Sequence, residues 1–215
     1  MYKAMIFDLD GTLADTVESI SVAGNKALAV CGLEPQPIES YKYFAGDGAD
    51  TLIHRALAAA GDEKGVWFEK AYAEYKLFFE KDCTYKVRAF EGIPEALQEA
   101  KKRGIFLAVV SNKPHARTLD VVQKLFGNAL FDVVIGQREG IAKKPNPVGV
   151  LEAAKQFGVK PEECMYIGDT NVDMETGHRA GMFTVGVVWG FRDREELEAN
   201  KADYIVEEPK ELLAL

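Results

Sequence analysis

Short apolar runs of strand length alternate along this chain with longer stretches in which apolar residues recur every three or four positions. The runs Ala4–Phe7, Ile105–Val110, Asp132–Ile135, Cys164–Ile167, Thr184–Val188 and Tyr204–Val206 read as strands. Several are continuously apolar instead of alternating, the pattern of strands covered on both faces of a parallel sheet. One helical stretch carries Ile93, Ala96, Leu97 and Ala100 on one face and stops at Gly104. A second runs from about His115 to Phe126, groups Leu119, Val122 and Phe126, and stops at Gly127. A third begins near Pro147, a favoured first helical position, and ends before Gly158. This alternation predicts an α/β fold, a doubly wound parallel sheet.

One stretch breaks the rhythm. Between Phe7 and Ile105 almost a hundred residues pass without a convincing strand. Residues 15–85 read as three or four helices: Ile20, Ala23, Ala27 and Val30 share a face, Leu52, Ile53, Ala56 and Leu57 share another, and the aromatic segment Trp67–Phe79 supplies a third. So long an insertion is not a loop in a compact domain. It predicts a separate helical subdomain, with hinges near Ala14–Asp15 and Lys86–Glu91, and leaves 1–14 and 86–215 to build the sheet.

At 215 residues, with 47% hydrophobic and 28% charged positions, the chain suits a core domain plus a small one and excludes a disordered or low-complexity protein. No apolar window reaches the length of a membrane span, and the first residues do not form a secretory signal. Lys and Arg total 26 against 34 Asp and Glu, a net charge of −8, which disfavours a nucleic-acid polymer as partner. Cys31, Cys83 and Cys164 show neither metal-ligand spacing nor a disulfide framework and are expected to be buried thiols in a reducing cytoplasm.

Ligands of open α/β sheets bind beyond the carboxyl ends of the strands. Directly after the first strand comes Asp8-Leu9-Asp10-Gly11-Thr12; after the second, Ser111-Asn112-Lys113; after the fourth, Gly168-Asp169-Thr170-Asn171-Val172-Asp173. The loop after the third strand contains Lys143-Lys144-Pro145-Asn146-Pro147. In a parallel sheet these acids, a hydroxyl and a lysine meet at one edge. Two carboxylates at about 4 Å repel by roughly 1 kcal/mol in water and about 4 at an effective dielectric of 20. A hard divalent cation removes that penalty, and oxygen ligands of this kind suit Mg²⁺. The same ion would attract a phosphate, which the net charge alone repels.

Each signal also has a plainer reading. Asp-Gly after a strand can turn a hairpin, but helical periodicity follows it here. A calcium loop starting at Asp8 would need Gly and Glu where Leu13 and Ser19 stand. Ser111 alone is a turn or cap residue, Lys144 alone a solvated lysine, and Gly168-Asp169 with Asp173 a helix start favoured by acids. Their shared location and order lift them above these readings.

In that order the motifs Asp8-Leu9-Asp10-Gly11-Thr12, Ser111-Asn112, Lys144-Pro145 and Gly168-Asp169 through Asp173 resemble the haloacid dehalogenase-like superfamily, specifically its phosphatases with a helical cap after the first strand. Asp8–Thr16, Gly46-Asp47-Gly48 and Lys144–Pro147 are most similar to the phosphoglycolate phosphatase subgroup. The resemblance implies a Rossmann-like core at 1–14 and 86–215, a cap at 15–85 that closes over the site, and Mg²⁺-dependent hydrolysis of a small phosphorylated metabolite, with 2-phosphoglycolate foremost. Asp8 would be the nucleophile forming an aspartyl-phosphate and Asp10 the general acid and base, with Ser111 and Lys144 holding phosphate oxygens. Asp8, the main-chain carbonyl of Asp10 and Asp169 would bind the metal, and Asp173 would orient Lys144 or a metal-bound water. Thr12, Asn112, Gly46 and Asp47 would contact substrate, and main-chain amides near Leu9, Asp10 and Asn112 would complete a phosphate cradle.

Asp10 argues against the dehalogenase branch, whose leaving group needs no proton. A β-phosphoglucomutase-like sugar-phosphate mutase would carry a His shortly after the first motif and Lys and Arg in the cap loop, whereas here Asp15–Ile20 and Phe44–Ala49 have neither. A pyrophosphatase, and a non-catalytic module that accepts or binds phosphate, remain as alternatives. Tyr43, Phe44, Asp47, His54 and Arg55 are further candidates for contact from the cap, although Arg55 also reads as an exposed helix arginine.

Overall fold

The computed structural model describes residues 2–215; Met1, the first residue of the expected core segment, lies outside them. In chain order the elements are β1 (Ala4–Phe7), β2 (Ala14–Asp15), α1 (Val17–Val30), α2 (Ile38–Phe44), α3 (Ala49–Ala59), α4 (Phe68–Asp82), β3 (Arg88–Ala89), α5 (Ile93–Lys102), β4 (Phe106–Pro114), α6 (His115–Phe126), β5 (Val133–Gln137), α7 (Val148–Phe157), β6 (Cys164–Gly168), α8 (Asn171–Ala180), β7 (Phe183–Val187), α9 (Arg194–Ala199) and β8 (Tyr204–Val206). They divide into two compact units, one holding the stretch up to Asp15 together with Arg88–Leu215, the other Thr16–Val87.

The first unit is a six-stranded sheet in the order β5-β4-β1-β6-β7-β8, and every pairing in it is parallel. This is the doubly wound arrangement: the chain builds outward from β1 on one side, then crosses over to build on the other. The period of two in β1 divides the core. Met5 and Phe7 pack with Ile93, Leu97, Val121 and Val122 of α5 and α6, whereas Ala4 and Ile6 pack with Val150, Ala153 and Ala154 of α7 and Ala180 of α8. Burial of both faces explains the unbroken apolar runs.

The second unit is helical. α1 lies along α4, and Ile20, Ala23, Ala27, Leu52, Ile53, Ala56, Leu57, Ala71, Tyr75 and Phe79 are buried in it. Gly24 sits mid-helix where any Cβ would run into the Tyr41 ring, so the helix gives up propensity there to seat a fully buried aromatic. The Tyr41 hydroxyl donates to Asn25 Oδ1 at 2.9 Å, which satisfies its polar end.

Three packing expectations fail for identifiable reasons. Leu119 is exposed, because α6 turns Thr118, Val121, Val122 and Leu125 inward; that phase is set by the Thr118 hydroxyl, which donates to the carbonyls of Lys113 and Pro114. Val30 ends α1 beyond its buried stripe, and Trp67 caps α4 from outside, so both are exposed. The structure adds a small antiparallel sheet between Phe7 and Ile105, where the sequence shows no strand. β2 and β3 pair Ala14 with Ala89 and Asp15 with Arg88, and at two residues each they leave no periodic trace. The three cysteines are buried, no disulfide joins them, and no described helix is long and apolar enough to cross a membrane.

Leu97→Ala is expected to cost about 2–5 kcal/mol in urea unfolding through the cavity it leaves, and Leu119→Ala less than about 0.5. Equal losses would show that the inward face of α6 has been misassigned.

Candidate active site

The carboxyl ends of β1, β4 and β6, the three central strands, carry the polar residues. β1 delivers Asp8, whose N–H donates to the Ile167 carbonyl at 2.9 Å, and the chain then turns tightly, with Leu13 and Ala14 both donating to the Leu9 carbonyl. Gly11 makes this turn possible: its φ is +88°, and a Cβ there would collide with the Asp169 carboxylate. β4 loses its regular register between Val110 and Pro114, and Ser111, Asn112 and Lys113 continue the unbroken burial of the apolar residues before them. The Asn112 side chain then clamps the neighbouring loop, accepting from Lys144 N at 2.8 Å and donating to Lys144 O at 3.1 Å.

Lys144 is the hub. Its Nζ donates to Asp8 Oδ1 at 2.7 Å, Asp173 Oδ1 at 2.8 Å and the Tyr166 hydroxyl at 2.9 Å. Those are the three hydrogen bonds an ammonium can donate. Tyr166 donates in turn to Asp173 Oδ1 at 2.9 Å, and Asp173 Oδ2 accepts from the Thr170 hydroxyl at 2.7 Å and the Thr170 N–H at 3.1 Å. Thr170 and Asp173 thereby form a capping pair at the start of α8, which locks the acid into the first turn. Asp169 is held separately, accepting from Thr12 Oγ1 at 2.9 Å and the Phe191 N–H at 2.7 Å. The Trp189 indole donates to the Thr12 carbonyl at 3.0 Å and braces that loop.

Asp8, Asp169 and Asp173 are all buried, and each offers an oxygen within 4.8 Å of the others, a group that could hold a metal ion. At that spacing two carboxylates repel by about 3–4 kcal/mol for an effective dielectric of 20. Burial pushes the Asp8 carboxyl up to about 7; Lys144 opposes the rise, while Asp173 and Asp10 add to it. Burial, then Asp173 and Asp8, raise Asp169 well above the ordinary carboxylate range. Burial alone would favour a neutral Lys144, but Asp173 and Asp8 outweigh it and hold the ammonium charged. Buried oxygen donors that resist ionising together are the donor set a hard divalent cation fits.

Asp8, Asp169, Lys144 and Asp173 thus meet at one place, and Ser111 lies buried at the end of the adjacent strand. The Asp10 side chain lies apart from the carboxylate trio and pairs with Lys113 Nζ at 2.8 Å. Thr12, expected among the substrate contacts, is fully buried with its hydroxyl directed to Asp169, and the Asn112 amide is taken up by the Lys144 backbone. Gly46 and Asp47 belong to the helical unit, in the loop between α2 and α3. There Arg55 pairs with Asp47 at 2.6 Å and donates to the carbonyls of Tyr43 and Phe44, so it staples its own loop. Sequence reasoning gave no role to Lys113, Tyr166, Thr170, Trp189 or the Phe191 amide. A tyrosine inside an otherwise apolar strand, and a threonine three residues before Asp173, are legible signals for two of them; the Phe191 amide has none.

The profile of the haloacid dehalogenase-like hydrolase family matches residues 5–187. The phosphoglycolate phosphatase of Aquifex aeolicus is 32% identical over 214 residues, covering 99% of this chain and 96% of that one. That of Mannheimia succiniciproducens is 30% identical and covers 100% and 98%. The solved structure of a predicted phosphoglycolate phosphatase from Haemophilus somnus matches with a TM-score of 0.91 at 25% identity over 99% and 97% of the two chains. CbbY from Rhodobacter sphaeroides, solved in complex with phosphate, matches at 0.76 and 25% over 99% and 96%. The chain belongs to the haloacid dehalogenase-like hydrolase family, and within that family it is a phosphatase.

The raised carboxyl of Asp8 fixes a sign. Between its unfolded value of 3.8 and about 7 the folded protein holds a proton that the unfolded chain releases. Without divalent ions, stability is therefore expected to fall as pH rises through that window. Thermal melts in EDTA at pH 5, 6 and 7.5 should show the decline, and excess Mg²⁺ should remove it. A Mg²⁺-induced shift that does not grow with pH would contradict the shared carboxylate site.

Proposed function

We propose that this chain hydrolyses a small phosphate monoester, 2-phosphoglycolate being the first candidate, through an aspartyl-phosphate on Asp8. The observation that carries this reading is the junction of Asp8, Lys144 and Asp173 beside Asp169. One buried carboxylate is aimed by a fixed ammonium, and the acids around it invite a cation. The names of the relatives that match over nearly the whole length supply the substrate.

Asp8 attacks phosphorus, and the bond to the leaving oxygen breaks as Asp10 delivers a proton to it. Water then attacks the phosphorus of the aspartyl-phosphate, giving its proton to Asp10. Inorganic phosphate departs, and Asp8 and Asp10 return to their starting forms. Lys144 keeps Asp8 in line and offsets its charge, Asp173 and Tyr166 keep Lys144 in place, and Ser111 with main-chain amides of the first and second strand-end loops holds phosphate oxygens. Asp8, Asp169 and the main-chain carbonyl of Asp10 would hold Mg²⁺, which supplies charge neutralisation to the transferring phosphoryl group when bound. Thr12 serves this arrangement by orienting Asp169, not by touching substrate. The helical unit, Thr16–Val87, acts as a cap that excludes solvent and selects the leaving group, with Gly46 and Asp47 in its selective loop.

Asp8→Asn is expected to lower kcat by roughly 10⁴-fold or more with the melting temperature kept, since an amide is no nucleophile. Wild-type-like turnover by that variant would exclude the covalent route. Asp10→Asn should slow an alkyl phosphate about 10²–10⁴-fold and an aryl phosphate far less, because a phenolate departs unaided. A kcat/KM panel of 2-phosphoglycolate, sugar phosphates and pyrophosphate tests the substrate, and a preference for either of the latter two would replace it.

A further inference from the structure

Lys113 is a buried cation to which the scheme above gives no part. Its side chain is only 2% exposed, and its Nζ lies 2.8 Å from Asp10 Oδ1. Burying an ammonium costs several kcal/mol unless an anion meets it, and the Asp10 carboxylate is an anion that does so. The backbone that carries the lysine is pinned on both sides. Its N–H donates to Ser111 Oγ at 3.2 Å, and its carbonyl accepts from Thr118 Oγ1 at 3.1 Å. Gly136 approaches that carbonyl so closely that a Cβ there would come within 2.7 Å. Asp10 is anchored differently, in the turn after β1, with its side chain 18% exposed. Lys144 cannot hold Asp10, because its three donors meet Asp8, Tyr166 and Asp173.

We propose that Lys113 is a positioning residue for Asp10, gripping Oδ1 from a fixed point and so setting the orientation in which the carboxyl exchanges its proton. The inference rests on the phosphatase reading and deepens it. Asp10 passes a proton to the leaving oxygen as that oxygen parts from phosphorus, and recovers one from water as the new oxygen–phosphorus bond forms. A lysine that instead bound the phosphoryl group directly would serve every monoester alike. A lysine that acts through Asp10 matters only where the leaving group needs a proton.

The test compares K113M, K113R, D10N and the K113M/D10N double variant on 2-phosphoglycolate and on 4-nitrophenyl phosphate, with excess Mg²⁺. K113M is expected to lower kcat on the alkyl ester about 10–100-fold, as a misplaced catalytic group does, and on the aryl ester less than about threefold, with KM little changed. In the D10N background, removing Lys113 should cost less than about twofold more, since the two residues act as one unit. K113R should recover at least part of the alkyl activity. Should K113M fail to fold, K113R makes the same distinction against wild type, because its broader head keeps the charge while displacing the carboxyl. Equal losses on both esters, a rise in KM alone, or losses that multiply in the double variant would overturn the proposal. Lack of turnover of either ester by wild type would strike the phosphatase reading itself. A D10N variant that is selective for the alkyl ester beside a K113M that is not would remove Lys113 alone.

Discussion

Carboxylates crowded out of water are the constraint around which this protein is built. Asp8, Asp169 and Asp173 are buried within 4.8 Å of one another, with Asp10 two residues from the first. Left alone they would repel, take up protons or pull the loops apart. The surrounding bonds each answer that tendency: Lys144 between Asp8 and Asp173, Thr12 and the Phe191 amide on Asp169, Thr170 on Asp173, Lys113 on Asp10. Four carboxylates then face two ammonium groups, and a single divalent cation would close the difference. A substrate dianion could approach such a site only once that balance is met.

The scaffold supplies the rigidity this demands. β1 is central, flanked by β4 and β6, and all three are packed on both faces, so the residues that leave their carboxyl ends start from fixed points. At the strand ends the local backbone aims side chains: the left-handed Gly11 turn, the slipped register after Val110, and the capped first turn of α8. The Asn112 clamp ties the loop after β5 to the end of β4, so that Lys144, which no strand delivers, inherits the rigidity of the sheet.

The sheet was legible because apolar runs between polar strand ends are hard to read otherwise, Asp8 and Asp169 because they stand at strand ends, and Lys144 because it lies in a loop that leaves one. What stayed hidden depends on rotation, register or backbone. Leu119 looks like a core residue until Thr118 fixes the phase of α6. The apolar run of β4 stops at Val110, yet pairing resumes at Pro114 opposite Gln137 after the slip. Thr12 and Asn112 carry donors of the kind that suit a phosphate, but in the fold Thr12 donates to Asp169 and Asn112 to the Lys144 carbonyl. An amide such as that of Phe191 is invisible to any reading by side-chain type.

The two-residue ribbon of β2 and β3 has a bearing beyond its size. The chain leaves the sheet unit at Asp15 and returns at Arg88 on the adjoining strand, with the two side chains in a 2.7 Å ion pair. A departure and a return set side by side impose almost no distance on whatever is threaded between them, and the entropy of closing such a detour grows only slowly with its length. The Rossmann-like scaffold therefore has a socket: one helical insert can be traded for another of different size or shape while the chemistry at the strand ends stays as it was.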